Sequence, residues 1–145
     1  MAMGTTKLLK RRLRVLVVDD CKADAMLQVS ALRSAGYQVE YDLVYTAPAM
    51  RAALEREDWD LITSDHQMPQ FSAPEALKLG QELRSDIPII IVSGQTNPDL
   101  AASLKDAGAH DYVSKTELAK LVTAVQSALP DLPDRHRQES SEPDA

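Results

Sequence analysis

Four places in this 145-residue chain set a reactive side chain directly after an apolar run. Asp19 and Asp20 follow Val15-Leu16-Val17-Val18, Asp65 follows Leu61-Ile62-Thr63-Ser64, Ser93 follows Ile89-Ile90-Ile91-Val92, and Lys115 follows Tyr112-Val113-Ser114. An apolar strand that ends on a carboxylate at a loop presents a nucleophilic oxygen at the rim of a parallel sheet, where open α/β proteins bind ligands. Three carboxylates gathered at such a rim repel and raise one another's pKa unless a cation compensates. Hard oxygen ligands, with no cysteine or histidine cluster beside them, favour magnesium, which uses one or two carboxylates and keeps waters for a phosphate to replace. A lysine adds a point positive charge and a serine adds a hydroxyl. The set suits phosphoryl transfer, in which positioning and charge neutralisation do most of the work. Taken singly, a strand-end aspartate is a turn former or cap, the serine a turn hydroxyl and the lysine a solvated cation. What points to a site is that each follows its own strand, on the edge that the chemistry needs.

Those strands must alternate with helices for the edge to exist. Arg14 to Val18 is a β-branched apolar run suited to a strand covered on both faces. A helix from Cys21 to Ala35 follows, closed by Gly36. Gln38 to Val44 reads as the second strand, and Thr46 can cap the next helix with Pro48 in its first turn. Asp60 to Ser64 is the third strand, Ser72 to Glu75 matches a capping box for a helix reaching Arg84, and Ile87 to Ser93 is the fourth strand. Asn97-Pro98-Asp99 opens a helix to Ala107, closed by Gly108. His110 to Ser114 is the fifth strand, and Thr116 is placed to cap a last helix whose Leu118, Leu121, Val122, Val125 and Leu129 share one face. Strand then helix, five times with short loops, predicts an α/β fold with a doubly wound parallel sheet.

Composition narrows the function further. The length suits one domain, and 44% hydrophobic with 26% charged residues is ordinary for a globular protein. A net charge of -6 argues against general nucleic-acid binding. One cysteine fits a reducing cytoplasm, and no apolar run approaches the length of a membrane span. The basic stretch Lys7 to Arg14 precedes too short an apolar run for a signal peptide. Residues 1–12 are therefore expected to form a basic flexible leader, and 130–145, rich in proline, serine and charge, a disordered polar tail.

Val15-Leu16-Val17-Val18-Asp19-Asp20, Ser64-Asp65-His66-Gln67-Met68-Pro69, Ile91-Val92-Ser93-Gly94 and Gly108 to Lys115 together resemble the receiver domain of two-component response regulators, of the CheY-like, stand-alone type. The resemblance covers about residues 13–129 and implies a flavodoxin-like five-stranded sheet in the order 2-1-3-4-5 with five helices. It implies that Asp65 accepts a phosphoryl group from a sensor histidine kinase or histidine phosphotransfer protein. Asp19, Asp20, Asp65 and the backbone carbonyl of Gln67 would hold magnesium, and Ser93 and Lys115 would contact the phosphoryl oxygens. Tyr112 would be the switch aromatic, and the fourth helix, fifth strand and fifth helix would engage a downstream protein.

The chain departs from the common receiver pattern at Ser72-Ala73, at Gly94 and at Thr116, positions that bear on loop geometry. Gln67 and Gln95 stand where the family tunes water attack on the phosphoryl group. Cys21 beside two aspartates is a poor redox candidate, His66, His110 and His136 lack metal-ligand spacing, and Trp59 reads as packing. Two other functions compete. A pseudo-receiver would bind partners without phosphorylation. An aspartyl-phosphate phosphatase of the haloacid dehalogenase type needs a second aspartate where Gln67 stands. With only residues 130–145 after the last helix, no DNA-binding or enzymatic output domain is expected.

Overall fold

A computed structural model describes residues 11–66, 68–69, 71–94 and 97–129. The elements run β1 (Arg11–Val18), α1 (Lys22–Ser34), β2 (Tyr37–Val44), α2 (Ala47–Arg56), β3 (Leu61–Asp65), α3 (Ala73–Leu83), β4 (Ile89–Ser93), α4 (Pro98–Asp106), β5 (Asp111–Ser114) and α5 (Leu118–Ala128). All strand pairs are parallel, in the order β2-β1-β3-β4-β5. This is the expected flavodoxin-like α/β architecture. The order reverses between β1 and β3, which opens a crevice at their C-terminal ends.

Side-chain alternation along each strand feeds two cores. Leu16 and Val18 of β1, Ile62 of β3 and Ile91 of β4 join Met50, Leu54, Leu77 and Leu104, under α2, α3 and α4. Val15, Val17, Leu61, Ile90 and Val92 join Val29, Leu32, Leu121 and Val125, under α1 and α5. A strand buried on both faces has no polar side to show, which is why β1 and β4 read as continuous apolar runs.

The helix starts follow local chemistry. Thr46 accepts from the Ala49 amide at 3.2 Å, and Asn97 from the Leu100 amide at 3.1 Å. Ser72 and Glu75 form the full capping box of α3. Gly36 and Gly108 follow α1 and α4 at φ +107° and +119°, the left-handed region that glycine enters without a steric penalty.

Three of the differences from the expected boundaries have a cause in the neighbouring structure. β1 starts at Arg11, three residues before Arg14, and takes in the end of the expected leader. The reason is β2, whose eight residues pair in register with Arg11 to Val18, and whose Glu40 meets Arg12 at 3.9 Å and Arg14 at 3.4 Å. β4 starts at Ile89 rather than Ile87, although the Pro88 carbonyl already accepts from the Ile62 amide. Thr116 does not cap α5; the capping position is Glu117, without a side-chain cap bond. Instead the Thr116 amide donates to the Ser114 hydroxyl at 3.2 Å, and the Glu117 amide to the Ser114 carbonyl, in a turn that precedes the helix. Residues 1–10 of the leader and the whole expected tail lie outside the described residues.

Trp59 is buried as packing, its indole N–H donating to the Ala53 carbonyl at 3.0 Å while the Arg14 guanidinium lies 5.3 Å from its ring centroid. No helix among the described residues is long and apolar enough to cross a membrane.

Candidate functional site

The expected rim residues converge. Asp19 follows β1 and is fully buried, its amide donating to the Val44 carbonyl at 2.9 Å. Its Oδ1 accepts from the Cys21 amide at 2.9 Å, which fixes the carboxylate toward the crevice. Asp65 is the last residue of β3 and is 9% exposed. Asp20 is exposed, yet offers an oxygen that joins those of Asp19 and Asp65, all within 4.8 Å of one another.

Ser93 ends β4 in register with Ser114 and is buried, and its carbonyl accepts from the Lys115 amide at 2.7 Å. That bond anchors the backbone from which Lys115 reaches across the rim. Its Nζ lies 3.3 Å from Asp19 Oδ2, 3.3 Å from Asp65 Oδ2 and 2.7 Å from Asp24 Oδ2. Asp24, in the first turn of α1, was not among the residues expected at the site. The available signal was its position four residues after Asp20, one helical turn beyond the acidic pair.

The charges shift one another as their positions demand. Burial pushes the Asp19 carboxyl above its ordinary range; the Cys21 amide pulls it down, Asp65 pushes it up, and Lys115 offsets part of the rise. Asp24 is held below the usual carboxylate range, chiefly by its hydrogen bond to Lys115. For Lys115, burial would lower the pKa, but the bond to Asp24 and the charges of Asp19 and Asp65 outweigh it, so the ammonium stays protonated.

Three carboxylates, Asp19, Asp24 and Asp65, thus face one ammonium, with Asp20 beside Asp19 and Asp65, and Asp19 Oδ2 is buried with no hydrogen bond beyond its 3.3 Å ion pair with Lys115. A hard divalent cation fits this donor set: the ligand atoms are all carboxylate oxygens, in a site too acidic to be balanced by Lys115 alone.

Tyr112 on β5 is half-buried against the core under α2, α3 and α4, in register with Ile91. His66 is half-buried, and its carbonyl accepts from the Ala73 amide at 3.4 Å. Cys21 occupies the N-cap position of α1 without a side-chain cap bond. Of the departures from the common pattern, Ser72 gives the loop after Pro69 a capping box, and Gly94 is exposed with open space where a Cβ would stand. Gln67 and Gln95 lie outside the described residues.

The model of the response regulator receiver domain family matches residues 15–126, which hold every one of these rim residues. The chain belongs to that family. Receiver domains are the signalling domains of two-component systems; as a family they bind magnesium at an acidic pocket and interact with histidine kinases or phosphotransfer proteins. This receiver is similar to the DNA-binding transcriptional regulator NtrC of Bradyrhizobium sp. (strain RP501 Parasponia), at 31% identity over 116 residues, which are 79% of the chain and 24% of the relative. It is also similar to the transcriptional regulatory protein PrrA of Mycobacterium tuberculosis, at 33% identity over 80% of the chain and 49% of the relative. The chain therefore spans less than half the length of either relative. Among solved structures, a CheY-like receiver domain protein from Methanospirillum hungatei JF-1 has a TM-score of 0.69 at 27% identity, covering 85% of this chain and 98% of that one. The receiver domain of the sensor histidine kinase PA1611 from Pseudomonas aeruginosa PAO1, with magnesium coordinated in its active site cleft, has a TM-score of 0.68 at 24% identity, covering 81% and 98%.

Proposed function

We propose that this receiver is a phosphorylation-dependent switch whose acceptor is Asp65. The observation that carries the reading is the placement of three carboxylates within 4.8 Å at the β1–β3 crevice, with the Lys115 ammonium 3.3 Å from both Asp19 and Asp65. An Asp65 oxygen attacks the phosphorus of a partner's phosphohistidine. The new O–P bond makes an aspartyl phosphate, the P–N bond breaks, and the imidazole leaves with the electron pair and takes up a proton. Attack by water later cleaves the acyl phosphate, releasing inorganic phosphate and restoring the carboxylate.

Each remaining residue has a role suited to its position. Lys115, 3.3 Å from Asp65 Oδ2, neutralises charge on the acceptor and then on the phosphoryl oxygens. Ser93, at the end of the neighbouring strand, supplies a hydroxyl to the same oxygens. Magnesium held by Asp19, Asp20 and Asp65, with the Gln67 backbone carbonyl as a further ligand, would neutralise phosphoryl charge that lysine alone cannot balance. The PA1611 receiver's magnesium supports this assignment by analogy.

The donor is a sensor histidine kinase or a histidine phosphotransfer protein. Residues 13–129 form the receiver unit, and the cytoplasm is its compartment. The output is a protein contact on α4, β5 and α5, with Tyr112 on β5 turning inward when the phosphoryl group draws on Ser93 and Lys115. Incubation with magnesium and acetyl phosphate should label the protein stoichiometrically with a base-labile phosphoryl group, and Asp65→Asn should abolish the labelling. Equal labelling of both proteins removes Asp65 as acceptor. No labelling of either, even from a cognate kinase, favours a pseudo-receiver, and release of many equivalents of phosphate favours a phosphatase.

A further inference from the structure

The tightest contact of the Lys115 ammonium is with a residue outside the acidic set assigned to magnesium. Nζ meets Asp24 Oδ2 at 2.7 Å in a direct hydrogen bond, whereas Asp19 and Asp65 stand at 3.3 Å. A short charge-assisted bond holds a cation more firmly than a longer ion pair. Asp24 and Lys115 are 91 residues apart and come from opposite sides of the reactive centre: α1 follows β1, and Lys115 follows β5. The lysine side chain is 18% exposed and that of Asp24 34%, so the pair is only partly screened by solvent.

We infer that Asp24 is a positioning residue that seats the Lys115 ammonium toward α1, so that the lysine does not compensate Asp19 and Asp65 fully and leaves their oxygens to a divalent cation. The inference rests on the reading of Asp19, Asp20 and Asp65 as the magnesium site. Without the Asp24 charge the ammonium has two carboxylates left, Asp19 and Asp65, and moves onto them. There it competes with the metal for the same oxygens. Asp24 therefore acts on magnesium through Lys115 rather than by touching the ion.

Removal of a negative charge near a cation site weakens binding by its field alone, so the test must isolate the part that runs through the lysine. A double-mutant cycle does so. Magnesium affinity is measured by amide chemical-shift titration on the whole chain, for the unsubstituted protein, Asp24→Asn, Lys115→Met and the double variant, with retained amide dispersion confirming the fold of each. Asp24→Asn should weaken magnesium about tenfold when Lys115 is present and no more than about threefold in the Lys115→Met background. Asp24→Glu, which keeps the charge, should restore most of the affinity. The same loss in both backgrounds, or no loss in either, overturns the inference while the metal site stands. Failure of the unsubstituted protein to bind magnesium removes the metal site and this inference with it.

Discussion

Replacing Asp19 by asparagine should stabilise the metal-free protein. The two side chains have nearly the same volume, and asparagine keeps an oxygen to accept from the Cys21 amide, the bond that aspartate makes at 2.9 Å. What changes is a charge at a fully buried position. Attraction to the Lys115 ammonium at 3.3 Å is worth about 5 kcal/mol at an effective dielectric of about 20. Repulsion from the Asp65 oxygen, within 4.8 Å, opposes it by at least about 3.5 kcal/mol on the same scale. The net attraction of at most about 1.5 kcal/mol falls short of a desolvation penalty of several kcal/mol for a buried ion. The upward displacement of the Asp19 pKa, led by burial, has the same sign. The Asp19→Asn protein should therefore gain about 1–2 kcal/mol, or about 4–8 °C in Tm for a domain of this size.

Because the folded-state pKa of Asp19 lies above its unfolded value, protonation stabilises the folded protein. The penalty is fully present above the folded pKa and fades as pH falls through it, so the gap between the two proteins should close as pH falls toward the ordinary aspartate value of 3.8. Magnesium at ten times its Kd should return about 1.4 kcal/mol to the unsubstituted protein and narrow the same gap at neutral pH. Calorimetric melts with EDTA and with magnesium, from pH 7 to pH 4.5, measure all three effects. A metal-free asparagine variant that melts below the unsubstituted protein at pH 7, or a gap that ignores pH, refutes the balance.

Two further outcomes test the scaffold that holds the rim. Ser72→Ala removes the side-chain acceptor of the α3 capping box and should cost about 1 kcal/mol in urea denaturation. The Glu75 carboxyl is held low first by the Ser72 amide, so the stabilisation it supplies is present above its ordinary value of 4.5 and lost as pH falls through its lower folded pKa. Stability that ignores both changes would remove the box as a determinant of α3. Trp59→Phe deletes the donor to the Ala53 carbonyl and weakens the ring beneath Arg14; it should lower stability by about 1–2 kcal/mol while leaving acetyl phosphate labelling of Asp65 intact. Loss of labelling in a folded Trp59→Phe protein would tie this packing to the site.

Much of the fold was legible because its signals are local. Continuous apolar runs mark strands covered on both faces, Thr46, Ser72 and Asn97 mark helix starts, and Gly36 and Gly108 mark stops. Parallel pairing then sends all strand ends to one edge, so Asp19, Asp65, Ser93 and Lys115 could be placed together from the order of the strands alone. Where a local signal competes with a long-range one, the sequence misleads. Thr116 is a good cap by type, yet Ser114 and the end of β5 draw it into a turn, and Arg11 and Arg12 look like a solvated leader until β2 offers them a partner strand. Adjacent aspartates are equivalent as letters; only the way the chain leaves β1 buries Asp19 completely and leaves Asp20 exposed. The participation of Asp24 was hidden for the same reason, because it depends on α1 and the end of β5 meeting across the rim from 91 residues apart. The sequence by itself determined which chemical groups reach the C-terminal edge of the sheet. Tertiary structure alone decided how three carboxylates share one ammonium, since that depends on distances and burial that no spacing of residues encodes.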